Sequence, residues 1–284
     1  MSEITVTAKD LANFKSNLYN EEKSALTVEK YLRDVRAFAE YLGGRELSKE
    51  VTVGWKLWLE EKRYSPRSIN SMIASLNSFL TFIGAQDCKL KAVRIQRSIY
   101  APEEKELTKA EYKRLPTSAK NQDRLSLIIR TICATGIRVS ELKYFTVEAV
   151  RNREVTVKCK SKNRAIIIPC ELSRLLLNYA KRQGIVSGAV FRTRGGKPLD
   201  RSYIWAQMKK LCGAARVSAA KVFPRNLRKL FARTFYEIEK DIAKLADVLG
   251  HSSIETTRIY IMATGIEHRR QIEKLGLVFA DFGS

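Results

Sequence analysis

Apolar residues recur with helical spacing through the first 83 residues of the chain. The clearest stripe lies between Ser24 and Gly43, and its members are Val28, Leu32, Val35, Phe38, Ala39 and Leu42. Capping residues and breakers at the ends of such stripes predict four helices: Ala8–Tyr19, one from Ser24 or Thr27 to Leu42, about Lys49–Glu61, and one from Pro66 to Ile83. No strand is predicted in this part, so we expect a helical bundle with these stripes as its core.

From residue 107 onward, helical stripes alternate with short β-branched runs. The pattern predicts a hairpin from Glu154–Lys158 and Arg164–Ile168, and a short third strand over Ala189–Thr193. The predicted helices are one opening at a capping box of Thr108 and Glu111, Arg124–Thr135, one beginning at Ser140 or its neighbours, Glu171–Arg182, about Asp200–Cys212, Pro224–Tyr236, Ile242–Leu249, Ser253–Met262 and Ile266–Lys274. The expected fold class is mainly α: a helical bundle followed by a mostly helical domain with a small antiparallel sheet.

A change of composition separates the two parts. The stretch from Cys88 to Pro102 contains no acidic residue, and its basic residues are Lys89, Lys91, Arg94 and Arg97. We interpret residues 88–106 as a basic interdomain linker lying on a polyanion, with an ordinary basic loop as the alternative. The expected domains are then a bundle over residues 1–87 and a second domain over residues 107–284.

The charge of the chain points to its partner. Fifty-two Lys and Arg against 30 Asp and Glu give a net charge of +22. Because a polyanion would neutralise this excess, nucleic acid is the favoured partner, and a merely basic protein is the alternative. We find no run of eighteen apolar residues and no basic amphipathic helix with a spare apolar face, which argues against a membrane partner. The amino terminus has no features of a secretory signal, so a cytoplasmic, nucleoid-associated protein is expected.

The sequence gives no sign of a metal or cofactor. Five scattered cysteines form no CxxC pair and there are only two histidines, so neither a disulfide framework nor a zinc site is expected. We find no phosphate-binding glycine loop and no carboxylate cluster suited to paired Mg²⁺ ions. We therefore expect chemistry without cofactor or metal.

The segment Leu249–Tyr260 combines a histidine in a tight turn with a tyrosine nine residues later. Gly250 permits the turn, and Ser252 or Ser253 can cap the helix that follows. The residues of that helix expected to face inward are Ile254, Thr257 and Ile261. A tyrosine near a helix end is usually a half-buried packing residue, so the segment needs support from the rest of the chain.

That support comes from groups that suit one reaction. Arg138, next to a glycine turn, and Arg228 can each grip a phosphate bidentately and stabilise the charge that develops when a phosphodiester is attacked. Tyr260 can be the nucleophile, because a phosphotyrosine ester conserves the energy of the broken bond. Lys160, at the predicted hairpin tip, can protonate the leaving 5′-oxygen.

In this order, these pieces resemble the tyrosine recombinase (phage integrase) family. The shared features are the run from Ala134 to Leu142, a lysine in a β-hairpin, Asn226-Leu227-Arg228, and Leu249-Gly250-His251 with a tyrosine nine residues on. The resemblance covers nearly the whole chain and implies a core DNA-binding bundle followed by a catalytic domain. The roles it implies are phosphate clamps at Arg138 and Arg228, a general acid at Lys160, a phosphate-binding residue at His251, the nucleophile at Tyr260 and a structural partner at Glu141.

The resemblance implies a site-specific recombinase that cuts double-stranded DNA through a 3′-phosphotyrosine and resolves a Holliday junction. No arm-binding domain is expected ahead of the bundle, so the layout is similar to that of compact Xer-type recombinases, and integration or excision of a mobile element is equally compatible. A type IB topoisomerase-like enzyme is the nearest alternative. The resemblance also implies a tetramer on two DNA sites, in which the apolar tail docks on a neighbouring subunit; packing on its own domain is the alternative. The apolar residues of this tail are Leu277, Val278, Phe279 and Phe282.

One departure from the family pattern concerns catalysis. The chain has Arg225 where the family has a catalytic histidine, and Lys229 where the family has a second, mainly structural one. Arg225 can donate hydrogen bonds to a phosphate but cannot act as a base near neutral pH. Three interpretations stay open: a natural variant with reduced or altered activity, an engineered or selected variant, and a DNA-binding protein that cleaves poorly. We favour reduced but real activity, with Arg225 kept among the catalytic residues.

Overall fold

The computed structural model describes residues 6–96, 100–119, 122–159 and 162–277. The chain divides into two compact units, Met1–Arg97 and Ser98–Ser284, and each unit has its own hydrophobic core. Two sequence predictions fall outside the described residues: Lys160 at the hairpin tip, and the tail after Leu277.

The described part of the first unit is a helical bundle, as predicted. Its helices are α1 (Ala8–Asn20), α2 (Ala25–Leu42), α3 (Lys49–Glu61) and α4 (Pro66–Phe82). Each begins after a hydroxyl residue whose side chain accepts a hydrogen bond from a backbone N–H of the first turn; these residues are Thr7, Ser24, Ser48 and Ser65. α2 ends at Gly43, whose φ of 59° lies in the left-handed region that glycine adopts without steric cost.

The predicted stripes meet in the core of this bundle. The buried residues of α2 include Val28, Leu32, Val35 and Phe38, and only Ala39 of the α2 stripe is half-buried. Aromatic rings pack edge to face across the core, with centroids 5.2 Å apart for Phe14 and Phe79 and 5.3 Å for Phe38 and Trp55. Helical periodicity therefore identified the faces that the bundle buries.

Beyond α4 and a short 3₁₀ turn (Gln86–Cys88), the chain continues along the first unit. The side-chain amide of Asn77 bonds both the N–H and the carbonyl of Leu90, each at 2.9 Å. Asn70 does the same for Val93, at 2.7 and 2.9 Å. These amides supply the partners that a strand or helix would otherwise provide, so the start of the predicted linker 88–106 is packed against the bundle.

The second unit is mostly helical with a small antiparallel sheet, which confirms the predicted fold class. Its helices are α5 (Lys109–Ser118), α6 (Asp123–Thr135), α7 (Val147–Arg151), α8 (Cys170–Arg182), α9 (Arg201–Lys210), α10 (Cys212–Ala215), α11 (Pro224–Glu239), α12 (Ile242–Leu249), α13 (Ile254–Ile261) and α14 (Gly265–Glu273). Strands β1 (Glu154–Cys159) and β2 (Lys162–Ile167) pair with Glu154 opposite Ile167. The buried faces of α6 and α8 and of the sheet form the core.

Three local predictions were wrong. The segment Ala189–Thr193 is not a strand: it makes only isolated bridges, Thr146 with Ala189 and Arg192 with Pro198, among the described residues. Val190 and Phe191 are buried in the core as irregular chain instead. The helix expected at Ser140 is a 3₁₀ turn over Val139–Tyr144.

The third error concerns α13, where Ile254 is exposed although it was expected to face inward. Ser253 occupies the N-cap position but makes no capping hydrogen bond through its side chain within the described residues. The short helix therefore buries less of itself than its apolar spacing predicts.

Two searches of the described residues returned nothing. Among the helices of that part of the chain, none is long and apolar enough to cross a membrane. The same residues contain no cluster of three or more His, Cys, Asp and Glu side chains that could hold a metal ion.

Candidate active site

A cleft of about 490 Å³ opens in the second unit between the turn after α6 and helices α9, α11 and α13. Its lining combines four arginines with three aromatic rings. The arginines are Arg138, Arg201, Arg225 and Arg228, and the rings are those of Trp205, Phe223 and Tyr260. Guanidinium groups beside one tyrosine make the cleft a candidate site for an anionic substrate.

The turn after α6 places Arg138 in the cleft. α6 ends at Gly136, with φ of 63°, and a Cβ there would lie 2.3 Å from the ring of Phe231 on α11, so only glycine fits. Two residues later the backbone N–H of Arg138 bonds Glu141 Oε2 at 2.8 Å, and its Nη1 bonds Oε1 at 2.9 Å. The carboxylate thus fixes both the backbone and the guanidinium of Arg138.

Arg164 on β2 holds the other side of the same carboxylate. Its Nη2 lies 2.6 Å from Glu141 Oε2, and its Nη1 bonds the carbonyl of Val248 at 3.1 Å. Its side chain passes so close to Gly250, with φ of 63°, that a Cβ there would lie 2.8 Å from Arg164 Cδ. The hairpin, the Arg138 turn and the end of α12 are therefore joined through one buried ion-pair cluster.

Arg228 lies deepest in the cleft and is 2% exposed. Its Nη1 donates to the carbonyl of Gly136, and its Nη2 donates to the carbonyl of Leu249 at 2.6 Å. Burial, and then the charge of Arg138, lower its pKa to about 10, so it stays protonated at neutral pH. Its Nε is buried and has no hydrogen-bond partner among the described residues, which leaves a cationic donor available to an anion.

His251 connects Arg228 to α13. Its Nε2 lies 3.0 Å from Arg228 Nη2, and its Nδ1 lies 2.9 Å from Oγ1 of Thr257. Burial, and then the positive charge of Arg228, lower the pKa of His251 to about 4, so the ring is neutral at pH 7. Both ring nitrogens are engaged within the protein.

Tyr260 lies across these groups. Its ring centroid is 5.1 Å from that of His251, 5.6 Å from Cζ of Arg225 and 5.9 Å from Cζ of Arg228. The structure thus brings together five of the six predicted catalytic residues, the sixth being Lys160, which lies outside the described residues. Both guanidiniums lie within the distance at which a cation is attracted to an aromatic ring.

Sequence reasoning missed two members of this site. Arg164 was predicted only as the first residue of a strand, and Thr257 only as an inward-facing residue of a helix. A basic residue on a half-buried strand is a weak signal for a buried ion pair. Thr257 carried no signal for its bond to His251, because that bond depends on how α13 packs.

Lys229 contributes to a separate network. Its Nζ bonds the buried carboxylate of Glu106, which also accepts from Arg233 Nη1 at 3.3 Å, and Arg233 bonds Glu267 in α14. These ion pairs fasten the segment before α5 and the start of α14 to α11. In this structure Lys229 therefore neutralises a buried carboxylate.

Comparison with known proteins gives a consistent result. Residues 105–265 match the model of the phage integrase family, and residues 11–87 match that of the phage integrase N-terminal SAM-like domain. Tyrosine recombinase XerA of Thermococcus kodakarensis is 31% identical over 93% of this chain and 94% of its own length. XerA of Pyrococcus furiosus is 29% identical over 98% of both chains.

Solved structures share the fold. A lambda integrase dimer bound to a COC′ core site superposes with a TM-score of 0.72 at 17% identity, covering 92% of this chain and 78% of that one. The XerH recombinase bound to its difH substrate gives a TM-score of 0.68 at 18% identity, covering 95% and 90%.

Proposed function

The chain belongs to the phage integrase family, and from that premise we propose that it cuts and rejoins DNA at specific sites through a 3′-phosphotyrosine formed at Tyr260. The family assignment confirms the resemblance inferred from the motifs and the enzyme class, a DNA strand transferase of the tyrosine recombinase type.

The placement of Tyr260 carries the proposal. The ring centroid of this tyrosine lies 5.6 and 5.9 Å from the Cζ atoms of two arginines, and a third, Arg138, lines the same cleft. This arrangement fits a reaction in which negative charge grows on both the nucleophile and a phosphate. Arg228 offers its unpaired Nε to a non-bridging oxygen. Arg138 is half-exposed and held by Glu141, so its guanidinium is oriented before the phosphate arrives.

In the proposed cleavage step, the Tyr260 oxygen attacks phosphorus and the bond from phosphorus to the 5′-oxygen breaks. The leaving oxygen takes a proton, for which we propose Lys160, and the tyrosine loses its proton to solvent. A free 5′-hydroxyl from a second duplex then loses its proton and attacks the phosphorus of the phosphotyrosine. The bond from phosphorus to the Tyr260 oxygen breaks, the tyrosine regains a proton, and the two strands are joined in a new pairing. A second round on the other strands would resolve the Holliday junction.

His251 acts on this reaction through Arg228 in our proposal. Because both of its nitrogens already have partners in the protein, it holds the guanidinium in place and stays neutral beside it. A neutral ring adds no charge that would repel Arg228, which keeps the arginine in its buried position.

Arg225 takes the place of a base that this chain lacks at that position. Its guanidinium lies over the Tyr260 ring and can stabilise the tyrosinate and the phosphate, but it cannot accept the tyrosine proton. We therefore propose that cleavage proceeds with proton loss to water and is slower than it would be with histidine.

The proposed partner is double-stranded DNA, bound by a homotetramer on two sites. The net charge of +22 supports a polyanionic partner. Leu277 is exposed at the end of the described residues, and the apolar residues that follow it in sequence would dock on a neighbouring subunit.

A covalent-trapping assay tests the proposed function. Duplexes that the protein binds would be selected from a random pool and from the DNA beside its gene, nicked at successive positions, end-labelled and incubated with wild type, Tyr260→Phe and Arg225→His. We expect a covalent band with wild type, a stronger one with Arg225→His, and none with Tyr260→Phe despite unchanged DNA affinity. Binding without a band in wild type, but with one in Arg225→His, would indicate a disabled recombinase. No band with any variant would refute the proposed chemistry.

A further inference from the structure

Helix α13, which carries Tyr260, has an unusual buried face. Among the described residues, which include all of α13, Thr257 is the only buried side chain of this helix. The apolar residues Ile254 and Ile259 are 50% and 41% exposed instead. A short helix normally docks through an apolar face, whereas this one docks around a fully buried hydroxyl.

The hydroxyl of Thr257 ends a chain of hydrogen bonds that begins at Arg228. A guanidinium can only donate, so the contact of 3.0 Å from Arg228 Nη2 makes His251 Nε2 an acceptor. In the neutral ring the proton then resides on Nδ1, which donates to Thr257 Oγ1 at 2.9 Å. Every bond from α11 to α13 thus has one direction, and Thr257 supplies the final acceptor.

We propose that Thr257 is a positioning residue for strand cleavage: its hydroxyl holds His251 in the Nδ1–H tautomer and docks the nucleophile helix against Arg228. This inference rests on the proposed function of Tyr260. Residues three apart on a helix are neighbours on its surface, so the bond at Thr257 fixes the part of α13 from which Tyr260 projects. The ring then stays across Arg225 and Arg228, where attack on a bound phosphate begins.

Alternative anchors of α13 are weak in this structure. Ser253, at its N-cap, makes no capping bond through its side chain within the described residues. Tyr260 and Ile261 are only partly buried where they pack against Ala232, Leu245 and Leu249. Since Thr257 is the one side chain of α13 that is fully buried, its hydrogen bond has a large share in the position of the helix.

Three substitutions separate the effect of the hydroxyl from that of the side-chain shape. Thr257→Val keeps the shape and removes the acceptor, whereas Thr257→Ser keeps the acceptor and removes a methyl group. Thr256→Val is the matched control, because it replaces the exposed threonine next to Thr257 by valine. In single-turnover cleavage of a nicked duplex, we expect Thr257→Val to slow adduct formation at least about tenfold with unchanged DNA affinity, because His251 loses its buried partner. Thr257→Ser should recover most of the rate, and Thr256→Val should match wild type.

A spectroscopic measurement tests the same bond without DNA. The chain has two histidines, so ¹⁵N-histidine spectra can be assigned with a His268→Gln variant. We expect His251 to give the Nδ1–H pattern in wild type and in Thr257→Ser, and to lose it in Thr257→Val.

The outcomes separate the two proposals. A wild-type protein that binds DNA without forming an adduct would refute the proposed function, while the spectra would still report on Thr257. An adduct in wild type, with Thr257→Val equally fast or Thr257→Ser equally slow as Thr257→Val, would overturn the inference alone. An Nε2–H pattern for His251 in wild type, or a Thr257→Val spectrum identical to that of wild type, would also overturn it.

Discussion

Both units of the chain bury carboxylates among cationic groups. The cluster around Asp34 in the first unit and the cluster around Glu141 in the second differ in whether all of their donors are used within the protein. Asp34 in α2 and Glu141 after α6 are 3% and 5% exposed. Both accept hydrogen bonds from two basic side chains. A buried carboxylate requires such partners wherever it lies, so the presence of the ion pairs does not itself distinguish the two regions.

The cluster of the first unit is closed on itself. Lys30 Nζ lies 2.7 Å from Asp34, and it also bonds the hydroxyl of Ser75 and the carbonyl of Ser71. Ser75 completes the set with a bond of 3.0 Å to Asp34. The three donors of the ammonium group are all used inside the protein, as in a structural network.

The cluster of the second unit is open. Around Glu141 stand Arg138 and Arg164, and the same cleft holds Arg225 and Arg228. Positive charge therefore exceeds negative charge, and the Nε of Arg228 has no partner among the described residues. A surplus of oriented, unsatisfied cationic donors, rather than buried charge as such, therefore marks the place where a phosphate fits.

The largest expected effect comes from Arg228→Lys. A lysine cannot hold the carbonyls of Gly136 and Leu249 and still offer a fork to phosphate, so we expect cleavage to slow by about 10²–10³-fold, as for the loss of one preorganised transition-state donor. Single-turnover adduct formation measures the change. Arg33→Lys, at the exposed edge of the closed cluster, is the control and should retain cleavage within about twofold. A rate for Arg228→Lys within threefold of wild type would contradict the open-cluster interpretation.

The two clusters should also differ in stability. Glu141→Gln leaves the side chain of Arg164, which is 9% exposed, without its counter-charge, so we expect a loss of about 3 kcal/mol. Asp34→Asn should cost only about 1 kcal/mol, because the side chains of Lys30 and Arg33 are 28% and 73% exposed and can regain water. Urea denaturation followed by fluorescence measures both, since Trp55 and Trp58 report on the first unit and Trp205 on the second. Equal losses would show that the clusters do not differ in this way.

A smaller effect is expected in the dependence of folding stability on pH. The folded-state pKa of His251 is lowered to about 4, below its usual 6.5, by burial and then by Arg228. The unfolded chain therefore binds the proton first, so the stability from the neutral ring is complete above pH 6.5 and is lost as pH falls toward 4. Both histidines, His251 and His268, lie in the second unit. Thermal unfolding between pH 7 and 5 should show a steeper fall for wild type than for His251→Asn, and parallel curves would contradict the assignment.

Sequence reasoning predicted correctly those features that depend on residues close together in the chain. The α2 stripe, the capping box at Thr108 and the glycine turn before Arg138 each follow from short-range chemistry, and each is present in the structure. The order of the motifs was enough to bring Arg138, Arg228, His251 and Tyr260 to one site, because the resemblance supplied the long-range pairing that spacing alone does not contain.

The failures have a common physical cause. Ala189–Thr193 has the composition of a strand but no neighbour to pair with along its length, and strand preference depends on such neighbours. Arg164 and Thr257 act through partners 23 and 6 residues away in the chain, Glu141 and His251. Contacts of this kind arise from packing between helices, strands and turns, so no local sequence pattern predicts them.

Identifying the residue joined to DNA tests whether Tyr260 in the Glu141 cluster's cleft is the nucleophile. The trapped adduct would be digested with nuclease and trypsin, and the peptide Ile259–Arg269, which contains Tyr260, would be sequenced by mass spectrometry. The open-cluster account predicts a nucleotide remnant on Tyr260, linked through a 3′-phosphate. A remnant on any other residue, or a 5′-phosphate linkage, would contradict it.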